Sequence, residues 1–150
     1  MQIGYIFAYV SAVIFIVAIL FSPKRLSKSD IYFTWFIMAA LTIYIDLFFG
    51  YILDLYDFVK PNLTVIDLIL EASLVPAAGI LIVNFLPKRT RNFAIYLIAV
   101  VCLSIVFEWL STITGYLVYK GWKLIYSVPI YTLGVMYLRW HLHYLRRTTK

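Results

Sequence analysis

The stretch NFAIYLIAVVCLSIVFEWLSTITGYL, Asn92 to Leu117, decides the fold. It is long enough to cross roughly 30 Å of hydrocarbon as a helix, and its single charged residue is Glu108. An acid in hydrocarbon costs several kcal/mol unless it is paired, protonated or hydrated, so an acid there marks a site or a buried polar network. Working outward, four more apolar runs have the same character: Ile3–Phe21, Ile31–Gly50, Val65–Leu86 and Leu124–Leu145. The expected fold is an all-α membrane protein, one domain over residues 1–150 built as a bundle of five transmembrane helices. Composition agrees: 64% hydrophobic and 13% charged residues leave little chain for a soluble domain.

Charge orients the bundle. Lys24, Arg25 and Lys28 follow the first run, Lys88, Arg89 and Arg91 follow the third, and Arg139, Arg146, Arg147 and Lys150 close the fifth. The other two loops hold only Lys60, Lys120 and Lys123. The positive-inside rule puts the basic loops in the cytoplasm, with the N-terminus outside and the C-terminus inside. The net charge of +6 faces anionic headgroups of the lipid bilayer and calls for no nucleic-acid partner. The first run has no basic residues before it and meets its positive charges afterwards, so it reads as a retained helix rather than a cleaved signal peptide. Cys102 lies mid-span and is read as packing.

Three acids share one depth, and a fourth lies one turn above them. Asp46 and Glu108 each lie fifteen residues along an outward-running helix, about 22 Å from its inner end. Glu71, on an inward-running helix, lies about 9 Å below the outer edge, with Asp67 one turn above it. Ser104, Ser111, Thr112 and Gly115 share the face of Glu108, and Thr42 and Gly50 that of Asp46. Small and hydroxyl residues at this spacing are what close helix contact within a membrane needs. Tyr126, Ser127 and Tyr131 reach the same depth, and Trp109 is expected to border the site.

The loops carry further expectations. Ser29 or Asp30 is expected to cap the second helix, and the stretch from Tyr51 to Leu63 to lie along the outer interface. Tyr119-Lys120-Gly121-Trp122-Lys123 reads as a tight turn with Gly121 at positive φ. From it Trp122 lies at headgroup level, and Lys120 or Lys123 reaches down to pair with Glu108. Asn62-Leu63-Thr64 matches a glycosylation pattern by coincidence. Pro76 with Gly79, and Pro129 with Gly134, are read as kinks. His141 and His143 lie about 200° apart around a helix and do not converge on a metal. His143 and Arg139 share a face at headgroup level.

Glu108-Trp109-Leu110-Ser111, Thr114-Gly115-Tyr116, Tyr119-Lys120-Gly121-Trp122-Lys123, Tyr126-Ser127 and Tyr131 form an ordered pattern. It resembles a family of small multi-pass membrane proteins of spore-forming bacteria that has no assigned function. Asp54-Leu55-Tyr56-Asp57 and Pro61 resemble that family's second loop. The resemblance implies a bacterial cell membrane, with Glu108 and Trp122 as family positions, and supplies no substrate. Helix number and length also compare with the five-helix tryptophan-rich sensory proteins, whose Trp-Pro-rich signature is absent here.

Three roles for the acids stand open: a pocket for a cation or small ligand, a set of carboxyls sharing protons, or a structural network. The expected function is non-enzymatic binding or sensing, or service as an accessory subunit. The protein would act as a homo-oligomer or beside another membrane protein, with no cofactor. An intramembrane enzyme acting on a lipid or isoprenoid, with Glu108 as acid/base, is the alternative; a purely structural partner is another.

Overall fold

The computed structural model describes residues 2–60, 64–87 and 89–148. Helices α1 (Gln2–Phe21), α2 (Lys28–Asp46), α3 (Val65–Asn84), α4 (Thr90–Ile113) and α5 (Leu124–Thr148) follow one another, and α2 continues into a π-helical turn, Leu47–Ile52. Two short strands, β1 (Tyr56–Asp57) and β2 (Val118–Tyr119), pair antiparallel, so the helical bundle carries a small two-stranded sheet that the apolar pattern does not encode. The basic residues Lys88 and Lys150, and Pro61, Asn62 and Leu63, lie outside the described residues.

Helices α1 to α4 are long and apolar enough to cross a membrane. Helix α5 is equally long, but its tyrosines, Arg139, His141 and His143 make it more polar than the other four. Capping differs from expectation at α2. Ser27 is the cap, and Asp30 answers it from the third helical position, each satisfying the other's amide. Thr64 and Asp67 do the same for α3.

Helix α3 is the hub: it packs on α1 and α2, while α4 and α5 pair beside it. Leu70, Leu74, Ala77, Ile80 and Val83 line its buried face. By contrast α1, α2 and α4 expose large apolar side chains, among them Ile6, Val13, Phe36, Ile98 and Leu103. Apolar faces of this extent suit lipid tails rather than water. Between such helices small residues permit close approach: Met38 fills the space at Gly79. Both α3 and α5 continue through Pro76 and Pro129 as helices.

The basic loops meet at one end, as the charge pattern expects. Asn84 at the end of α3 donates to the Pro23 carbonyl (3.0 Å) and accepts the Arg25 amide (3.3 Å). Arg146 of α5 donates to the Arg25 carbonyl (3.1 Å) and lies 3.6 Å from the Asp30 carboxylate.

At the other end α4 stops at Ile113, four residues before the expected Leu117. Apolar residues run on past the stop, but the backbone turns at Gly115, with φ of 72°. The Tyr116 amide reaches the Ser111 carbonyl and the Gly115 amide the Thr112 carbonyl (2.9 and 3.1 Å), a Schellman ending. The positive-φ glycine is therefore Gly115; Gly121 instead packs closely against Leu55.

Gly4 of α1 rests on this turn: a Cβ there would lie 2.8 Å from the Gly115 and Tyr116 backbone. Gly4→Ala is expected to lower stability by about 1–3 kcal/mol, read as an earlier thermal transition in detergent.

Candidate functional site: an acid network under paired loops

Two loops far apart in sequence close over the acids. Tyr56 pairs with Tyr119, and Asp57 with Val118. The Leu55 carbonyl accepts the amides of Lys120, Gly121 and Trp122 (2.9, 3.0 and 3.0 Å). Asp54 turns the corner at φ 51°, a conformation Asp tolerates better than most residues. Lys120 bridges Asp54 and Asp57, at 2.9 Å from the latter. The expected Lys–Glu108 pair is thus not formed: acids in the facing loop are nearer, and Lys123 is exposed.

Hydrogen bonds to Asp54 and then Asp57 raise the Lys120 pKa above its ordinary value. The sign follows from linkage: the bridge stabilises fully below the ordinary lysine value and is lost as pH climbs through the raised one. Because the bridge is exposed, Lys120→Gln is expected to melt close to wild type at neutral pH. The two curves should converge further only in strongly alkaline buffer.

Beneath the loops, Glu108 is buried and surrounded by hydroxyls. Its Oε1 accepts from Tyr119 and from Ser127 (2.7 Å for Ser127), and its Oε2 from Tyr131 (2.7 Å). Ser127 in turn accepts the Trp122 indole N–H at 2.9 Å. The Trp122 ring meets those of Phe49, Tyr56 and Tyr126 edge-on, at 5.3, 5.7 and 5.7 Å. One carboxylate therefore ties α4 to β2 and α5.

The second group centres on Asp46 and Glu71. Tyr56 donates to Asp46 Oδ1 (2.6 Å), and Tyr116 to Glu71 Oε1 (2.9 Å). The two carboxyls are also neighbours across α2 and α3. Asp46 Oδ2 is buried and receives no N–H or O–H from any other described group. The Tyr56 ring rests on Gly50, in the π-helical turn: a Cβ at Gly50 would lie 3.2 Å from it. Tyr56 and Tyr116 are both buried, and burial is the first cause pushing each hydroxyl's pKa up, so both remain donors.

Of the other expected site residues, Asp67 is a helix-capping acid. Its Oδ2 accepts the Thr64 amide (2.9 Å) and hydroxyl (2.6 Å). Ser111 and Thr112 donate back into their own helix, to the Phe107 and Trp109 carbonyls. Ser104 is half-buried and does not bond an acid. Trp109 is 52% exposed on the outer face of α4, away from Glu108, and Tyr126 touches only the Trp122 edge of the network.

Tyr56, Tyr116 and Tyr119, which count as interfacial aromatics by position, supply three of the six hydroxyl donors to the acids. Their signal in the sequence was being Tyr rather than Phe at the depth of the acids. Two surface grooves stand out, one lined by Lys28, Tyr32 and Trp35 and one by Arg139, His143 and Arg147; neither touches an acid. Among the described residues no three His, Cys, Asp or Glu side chains converge to hold a metal ion.

No family model, no curated protein and no solved structure matches this chain.

Proposed function

We propose that this chain is a five-span protein of a bacterial cell membrane, N-terminus outside and C-terminus inside, acting as a non-enzymatic proton-responsive sensor or accessory subunit. The observation that carries this reading is the Asp46–Glu71 carboxyl pair, with Glu71 buried and Asp46 half-buried, capped by one tyrosine hydroxyl on each side. Two negative charges this close in a medium of low dielectric repel strongly, so the pair holds a proton or a cation between its oxygens. A calcium-like cation wants six or more oxygens, and among the described residues no third acid converges here. A single shared proton suits the pair better. Tyr56 links that proton to the paired loops, so its release puts a second charge directly under β1 and β2.

Thermal unfolding in detergent, from mildly acidic to mildly alkaline buffer, tests this in wild type and Glu71→Gln. The folded pair binds a proton that the unfolded chain has released, so wild-type stability falls as pH rises. The amide donates permanently to Asp46, and its variant is expected to lose that slope. Equal slopes in both proteins would contradict the proposal.

Glu108 and Asp67 favour a structural role beside it, since hydroxyl donors satisfy Glu108 and Asp67 caps α3. Burial under Tyr119 and Tyr131 also speaks against Glu108 as an acid/base for a lipid substrate. Lipid altered chemically only when Glu108 is intact would restore the enzyme alternative. The four long apolar helices support the membrane setting. The exposed apolar faces fit a second copy or another membrane protein as partner.

A further inference from the structure

At the basic end, α4 and α5 enclose an open groove of about 450 Å³. Arg139, His143 and Arg147 lie along it at successive turns of α5, with Phe93 of α4 opposite and Trp140 and Tyr144 on the flank. No acidic side chain lines it, and among the described residues neither Arg139 nor Arg147 forms an ion pair. The Arg139 guanidinium is instead held over the Phe93 ring, 3.9 Å from its centre, which keeps the charge in place without neutralising it. His143 Nδ1 bonds the Arg139 carbonyl at 2.9 Å.

The groove is graded along the helix. Met136, one turn before Arg139 and Trp140, is 50% exposed, and Trp140, beside Arg139, is 60% exposed; both offer apolar surface. Arg147 lies one to two turns beyond Trp140 toward the end of the chain, among the basic loops. Apolar surface from Met136 to Trp140 and cationic charge running from Arg139 on to Arg147 match the order of acyl chain and phosphate in a lipid of the inner leaflet. Basic pockets between membrane helices on the cytoplasmic side are known to hold anionic headgroups. We infer that this groove binds one anionic phospholipid, its phosphate between Arg139 and Arg147 and its upper acyl chain along Met136 and Trp140. This rests on placing the basic end at the inner leaflet and is independent of the carboxyl pair.

The test measures phosphatidylglycerol bound to the full chain in zwitterionic micelles, by native mass spectrometry with added lipid. Wild type is expected to retain one phosphatidylglycerol per chain over an equal amount of phosphatidylcholine. At about 1 kcal/mol per basic contact, Arg139→Gln with Arg147→Gln is expected to bind roughly thirtyfold more weakly. Arg147→Gln alone, at an exposed helix end and safe for folding, is expected to bind roughly fivefold more weakly. Lys24→Gln with Lys28→Gln, removing equal charge from the same end but outside this groove, is expected to bind as wild type. Equal binding by the arginine variants, or an equal loss in the lysine variant, would overturn the site in favour of diffuse charge. Displacement of the lipid by millimolar inorganic phosphate would overturn the lipid as occupant and assign the groove to a free anion.

Discussion

Glu108→Leu is expected to lower the stability of the detergent-solubilised protein by about 3–5 kcal/mol. Three buried or half-buried hydroxyls, of Tyr119, Ser127 and Tyr131, lose their acceptor together. Each orphaned donor costs about 1–3 kcal/mol, less than additively because hydroxyls rotate toward other acceptors. Glu108→Gln keeps a carbonyl oxygen for two of the donors, and Tyr131 can turn to accept from the new amide. Its loss should be nearer 1–2 kcal/mol. Tryptophan emission adds a second readout, because Ser127 bridges Glu108 to the Trp122 indole. Leucine should release that indole and glutamine should not. Two equally small losses, with unchanged emission, would remove Glu108 as the tie between α4 and α5.

The second large effect is expected at Glu71, where the size of the loss depends on what replaces the acid. Glu71→Leu orphans the buried Tyr116 hydroxyl and leaves Asp46 with only Tyr56. A loss of about 2–4 kcal/mol follows. Glu71→Gln retains an acceptor for Tyr116 and offers Asp46 an N–H where the shared proton would sit. It should stay within about 1 kcal/mol of wild type in mildly acidic buffer. A charged, unprotonated pair predicts the reverse order of sensitivity to pH, with the glutamine variant clearly more stable than wild type throughout.

The apolar runs and the basic end were legible in the sequence, because each rests on spacing along a single helix. What spacing cannot carry is contact between loops. Tyr56 and Tyr119 are neighbours only because β1 and β2 pair across more than sixty residues of chain, and no local pattern marks either as a strand. Once they pair, Lys120 meets Asp54 and Asp57 before it can meet Glu108. The end of α4 was hidden for a different reason. Tyr116 and Leu117 continue the apolar run, and only Gly115 marks the stop. Trp109 shows the limit of adjacency: the residue next to Glu108 on a helix points about 100° away from it, here to the exposed surface. At α5 a long helix rich in tyrosine and basic residues is more polar than its neighbours, since its side chains serve the acid network at one end and the basic groove at the other.

The most direct measurement of the carboxyl pair is the infrared carbonyl stretch of a protonated carboxylic acid, recorded at neutral pH for wild type, Glu71→Gln and Asp46→Asn in membranes. The expected result is a protonated-acid band in wild type that is absent from both variants and fades as wild type is taken to higher pH. A wild-type spectrum without that band, or a band that survives in both variants, would contradict a proton shared by Asp46 and Glu71.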